Sequence, residues 1–127
     1  WPWRCCSPSR PLRPWPPNVD CSGYVDDPVA AIAQADVVLS LSRFAESFGR
    51  TVLEAMAAAR PVIAYRRGTP ADLVRDGETG ILVPPDAAAA VAAAIRALER
   101  DPARRRGMGQ AARARARALS DGGTWPA

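Results

Sequence analysis

Arg50-Thr-Val-Leu-Glu-Ala-Met-Ala-Ala-Ala-Arg-Pro-Val-Ile-Ala-Tyr65 is the stretch on which the fold of this chain turns. Between Thr51 and Ala59 the only charged residue is Glu54; the others are apolar or small. A helix of that composition is buried on most of its faces. After it comes Val62–Tyr65, a short apolar run, and before it lies another, Asp36–Leu41. Runs of this kind fit parallel strands covered on both sides. Two such strands joined by a helix over 50–59 make a βαβ crossover, expected to be right-handed.

The same alternation continues outward. A strand is predicted over Val19–Tyr24. A short helix follows from Asp27-Pro28 through Ala33, with the proline in its first turn. Asp72–Arg75 reads as a further short helix, Arg75–Gly80 as a turn and Ile81–Val83 as a third core strand. Ala87–Arg100 and Asp101–Leu119 read as helices, separated at Asp101-Pro102. Strand and helix in turn imply an α/β fold, a Rossmann-like parallel sheet with flanking helices. Residues 1–18 stand apart. They carry six prolines, which fix the backbone and remove donors, so they make neither a helix nor a central strand. The reading is a proline-rich, non-globular leader over 1–18, a domain over 19–119 and a tail over 120–127.

Composition narrows the function. At 127 residues and 48% apolar content, the chain is one globular domain with a real core. It has no histidine, which excludes a Ser-His-Asp or Cys-His mechanism within it. Cys5, Cys6 and Cys21 are too few and too poorly spaced for a disulfide framework or a zinc site, and a reducing cytoplasm is the default expectation. No apolar run reaches the 18 or more residues of a membrane span. All 17 basic residues are arginine. Many lie in Arg104–Arg106 and in the Arg113, Arg115, Arg117 series. A solvated helix face accounts for them; attraction to an anionic surface, giving a membrane-peripheral protein, is the alternative. No nucleic-acid signature accompanies them, so nucleic acid is not an expected partner.

Glu46 and Glu54 carry the chemistry, with seven residues between them. An ionised carboxylate in an apolar helix is costly unless something hydrogen-bonds to it. Should the helix begin near Phe48 or Gly49, its first free N–H groups favour an anion. Glu54 then lies roughly 9 Å further along the axis, and Glu46 lies on the other side of that N-terminus. A ligand made of a hydroxylated ring, a diphosphate and a second hydroxylated ring matches this order, as in a nucleotide-sugar. A capping carboxylate plus a salt-bridged helix glutamate matches it too, and spacing alone leaves both open.

Longer motifs surround that pair. They are Gly23-Tyr-Val-Asp-Asp-Pro28, Ala35-Asp-Val-Val-Leu-Ser-Leu-Ser-Arg43, Glu46-Ser-Phe-Gly-Arg-Thr-Val-Leu-Glu-Ala-Met-Ala57, Arg60-Pro-Val-Ile-Ala64 and Asp72-Leu-Val-Arg-Asp-Gly-Glu-Thr-Gly-Ile-Leu-Val-Pro84. In order and spacing, residues 23–113 resemble the C-terminal, donor-binding half of family-4 retaining glycosyltransferases, of GT-B fold. The resemblance implies transfer of a sugar from a nucleoside diphosphate to an acceptor hydroxyl, with retention at the anomeric carbon. It places Glu46 on the donor sugar, as the catalytic residue, and Glu54 on the ribose. Ser47, Phe48, Gly49, Arg50 and Thr51 approach the sugar and diphosphate through their backbone. No cofactor and no bound metal is implied; the nucleotide-sugar is the partner.

Departures from the family pattern are specific. Ala58-Ala59 stands before Arg60-Pro61 where the family has Ala-Ala-Gly. Gly68-Thr-Pro-Ala-Asp72 stands where the family has Gly-Gly-x-Pro-Glu, preceded by Arg66 and Arg67, which a solvated loop or a phosphate accounts for. The family's phosphate-binding arginine and lysine lie upstream of Gly23; here that region holds Arg4, Arg10 and Arg13 and no lysine. The acceptor-binding domain is missing from the chain, so stand-alone transfer is not expected of it. The alternatives are a sugar-nucleotide epimerase of the same fold and a degenerate, non-catalytic fragment.

Overall fold

Alternation in Val62-Ile63-Ala64-Tyr65 puts Val62 and Ala64 on one face of a strand and Ile63 and Tyr65 on the other. Both faces are covered in the computed structural model, which describes residues 3–5, 19–21, 28–41 and 50–121. Three parallel strands form the central sheet, β3 (Val38–Ser40), β4 (Val62–Tyr65) and β5 (Gly80–Val83), in the order β3-β4-β5. Val38 is in register with Val62, and Val62 with Gly80. At Gly80 the strands come so close that a Cβ would lie 2.2 Å from the Val62 carbonyl oxygen, which is why glycine stands there. Helices α1 (Pro28–Ala33), α2 (Arg50–Ala57), α3 (Gly68–Leu73), α4 (Ala88–Arg100) and α5 (Pro102–Asp121) surround the sheet.

Two apolar clusters fill the layers. On one face, Val38, Val62, Ala64 and Leu82 pack with Val52, Leu53, Ala55 and Met56 of α2 and with Ala112 and Ala116 of α5. On the other, Ile63 and Val83 pack with Val91, Ala94 and Leu98 of α4 and with Met108. Helix α2, read from sequence as buried on most faces, has Val52, Ala55 and Met56 fully enclosed. A fully buried side chain of this size stabilises by about 1.5–3 kcal/mol.

Several boundaries differ from the sequence reading. The short helix expected over Asp72–Arg75 is α3, Gly68–Leu73. Pro70 lies in its first turn, where backbone N–H groups have no helical partner, so the proline starts the helix instead of preceding it. Its last turn is closed by Val74 N–H on the Pro70 carbonyl, and Arg115 of α5 caps the end, donating from Nε to the Leu73 carbonyl at 2.7 Å and from Nη2 to that of Asp72. Helix α5 continues past Leu119 to Asp121. Within the stretch read as a leader, Trp3–Cys5 (β1) pairs in parallel with Val19–Cys21 (β2), so that segment is extended and hydrogen-bonded.

The end of α2 explains the departure at Ala58-Ala59. Arg60 N–H bonds the Ala55 carbonyl at 2.9 Å, and Ala59 N–H bonds that of Met56 at 3.0 Å. This pair of bonds is the Schellman closure, which needs a left-handed residue and usually takes glycine. Ala59 supplies it, with φ of 60°. Replacing Ala59 by Gly is therefore expected to stabilise the domain by about 1 kcal/mol. Urea denaturation checks this, and a lowered midpoint contradicts it.

Candidate active site

Because β3, β4 and β5 are parallel, the loops that leave them emerge on one edge of the sheet. This is where open α/β sheets bind ligands. After β3 the chain leads to Arg50, at the start of α2. After β4 come Arg66, Arg67 and α3; after β5 comes Pro84–Ala87, where Asp86 adopts a positive φ of 62°. Among the predicted site residues, Arg50, Thr51 and Glu54 share α2, and Glu54 lies one turn beyond Arg50. Glu54 is half-buried, flanked by the buried Leu53 and Ala55. The remaining site residues, Glu46, Ser47, Phe48 and Gly49, lie outside the described residues.

Arg66 and Arg67, read from sequence as solvated or phosphate-facing, are engaged within the protein. Arg66 Nη2 donates to Asp76 at 3.3 Å. The other oxygen of Asp76 accepts from the Leu82 backbone N–H at 3.1 Å, which ties this carboxylate to β5. Arg67 Nη2 donates to Asp86 at 3.2 Å, and its guanidinium lies 6.0 Å from the centre of the Tyr65 ring. Two loops at the carboxyl edge are thus latched by one ion pair. The Arg67 side chain is 24% exposed, and surface pairs of this kind contribute roughly 0–1 kcal/mol, so the latch orients the loops more than it stabilises them. Sequence reading missed Asp76, Asp86 and Tyr65. The charges that pair are 10 and 19 residues apart, and no local pattern joins them. Among the described residues, no cluster of three or more His, Cys, Asp or Glu is placed to hold a metal ion. None of the described helices is long and apolar enough to cross a membrane.

A parallel sheet covered by helices on both faces, with its loops gathered at one edge, defines a Rossmann-like domain of the GT-B type. The family described as glycosyl transferases group 1 matches residues 14–115, and the chain belongs to it. It is 49% identical over 82 residues to the D-inositol 3-phosphate glycosyltransferase of Pseudarthrobacter chlorophenolicus, covering 65% of this chain and 19% of that protein. The phosphatidyl-myo-inositol mannosyltransferase of Mycobacterium leprae is 44% identical over 81 residues, covering 62% and 22%. Among solved structures, HepE of Anabaena in complex with UDP-glucose superposes with a TM-score of 0.76 at 29% identity, over 80% of this chain and 28% of that one. Sucrose-phosphate synthase from Thermosynechococcus elongatus gives 0.75 at 39%, over 80% and 26%. The chain thus spans about a fifth of these curated relatives and about a quarter of these solved chains.

Proposed function

We propose that this chain is the donor-binding part of a retaining glycosyltransferase, which moves a sugar from a nucleoside diphosphate to an acceptor hydroxyl. The observation that carries the reading is the superposition, at a TM-score of 0.76, on a relative that holds UDP-glucose. Glu54 accepts from the ribose hydroxyls. The backbone from Ser47 to Thr51 and the N-terminus of α2 hold the diphosphate. Glu46 accepts from the donor sugar, and its contacts strengthen as the ring distorts on the way to the transition state. The departing phosphate takes the acceptor proton, a role for which the chain offers no histidine. No metal or other cofactor has a part in this reading.

Calorimetric titration with a panel of nucleoside diphosphate sugars tests it. One nucleoside diphosphate and its sugar conjugate should bind, and the free sugar should not. A panel without a single binder, for this chain and for a longer protein containing it, sinks the proposal. A second measurement isolates Glu46. In an enzyme containing this domain, Glu46→Ala should depress turnover on the order of a hundredfold, with little change in nucleotide affinity. Lost nucleotide binding with turnover retained at saturation reverses the assignment.

A further inference from the structure

We propose that the outer face of α5 docks on an anionic membrane, with a headgroup phosphate seated in the arginine-lined cleft where that helix begins. This surface is separate from the donor site. The cleft is bounded by Asp36, ahead of β3, and by Ala59, Arg60 and Pro61, ahead of β4, so it opens at the amino edge of the sheet.

Helix α5 turns Met108, Gly109, Ala112 and Ala116 inward. Two of its arginines serve the fold. Arg105 Nη1 donates to the Leu98 carbonyl at 3.1 Å, and Arg115 caps α3. Arg106, Arg113 and Arg117 do neither. They are exposed and, at spacings of seven and four, form with Gln110 a single stripe along the solvent side of the helix, flanking the buried line. From Arg106 to Arg117 the stripe runs about 16 Å.

No carboxylate occurs between Pro102 and Ser120. Among the described residues these three arginines make no ion pair, whereas Arg66, Arg67 and Arg75 pair with Asp76, Asp86 and Glu78. Like charges one turn apart, such as Arg113 and Arg117, repel each other. Asp121, the last residue of α5, stands one turn beyond Arg117; along the rest of the stripe an anionic surface would supply the countercharge.

The stripe leads into the cleft through Arg106. There Arg60, Arg105 and Arg106 outnumber one carboxylate, Asp36, around a volume of about 290 Å³. Arg60 donates from Nη2 to the Ala33 carbonyl, which holds the guanidinium in place, and its Nε is buried without a partner. Exposed Ala103, Ala114 and Ala118 flank the stripe. Their small side chains let the guanidinium groups meet a flat surface. Helix α5 carries no aromatic residue on which a nucleic-acid base could stack, so the lipid surface fits better.

Cosedimentation of the chain with vesicles tests this. Vesicles of phosphatidylcholine with added phosphatidylglycerol should retain it, pure phosphatidylcholine should not, and salt should release it. Arg113→Gln with Arg117→Gln should lower the partition coefficient roughly twenty-five-fold, at about fivefold per arginine. Arg66→Gln with Arg75→Gln, the same change of net charge, should lower it less than threefold. Arg106→Gln alone should cost more than Arg113→Gln alone, because it removes a cleft contact. Melting curves identify any variant whose fold has changed. Retention by neutral vesicles, absence of binding, equal losses in the two double variants, or tighter binding to duplex DNA would each overturn the proposal. Equal effects of the two single variants would remove the headgroup seat.

Discussion

Gly109→Ala is expected to lower the stability of the domain by about 2–4 kcal/mol, while Gly107→Ala in the same helix raises it by about 1 kcal/mol. Both glycines are inside α5, where alanine is intrinsically favoured. What separates them is what a Cβ would meet. At Gly107 nothing lies within 4 Å. At Gly109 the Cβ would stand 2.2 Å from the carbonyl oxygen of Ala59 and 3.0 Å from its carbon. Those are backbone atoms of the Schellman turn that ends α2, and they cannot swing aside as a side chain can. Either α5 lifts from α2, opening the cluster of Met56, Ala112 and Ala116, or the turn deforms. The overlap outweighs a propensity gain of about 1 kcal/mol. Thermal or urea denaturation of the two variants reads the difference directly. If Gly109→Ala is as stable as the parent, α5 does not approach α2 as described.

Glu54→Gln is expected to weaken binding of the free nucleoside diphosphate by about 1–3 kcal/mol, the range for a lost hydrogen bond to a charged group. Glutamine keeps the length and helix propensity of glutamate, so α2 should persist and the change falls on the acceptor oxygens. Glu54 is half-buried between the buried Leu53 and Ala55, so its carboxylate is held at a fixed place on α2. Calorimetry on wild type and variant measures the effect, and a melting curve beside it separates a lost contact from a lost fold. Unchanged affinity would show that Glu54 belongs to the domain's own packing and has no part in the ribose site.

These results divide the information between chain and fold. The sequence by itself determined the βαβ unit. Val62–Tyr65 and the helix around Glu54 are apolar enough that a sheet covered on both faces follows from composition and period. It also carried the family resemblance through residues 23–113, and with it the expectation that Glu46 and Glu54 act on one donor. What only the tertiary structure decided are relations between residues distant along the chain. Gly107 and Gly109 flank a single methionine and look alike in sequence, yet one faces open space and the other a backbone carbonyl from the end of α2. Arg66 and Arg67 are adjacent, yet they take different carboxylates, 10 and 19 residues away. The short helix expected over Asp72–Arg75 is Gly68–Leu73, with Pro70 inside it. Apolar periodicity is local and survives in a string of letters. Close approach of backbones and the choice of an ion partner depend on three-dimensional distance, which exists only once the sheet has brought the loops together.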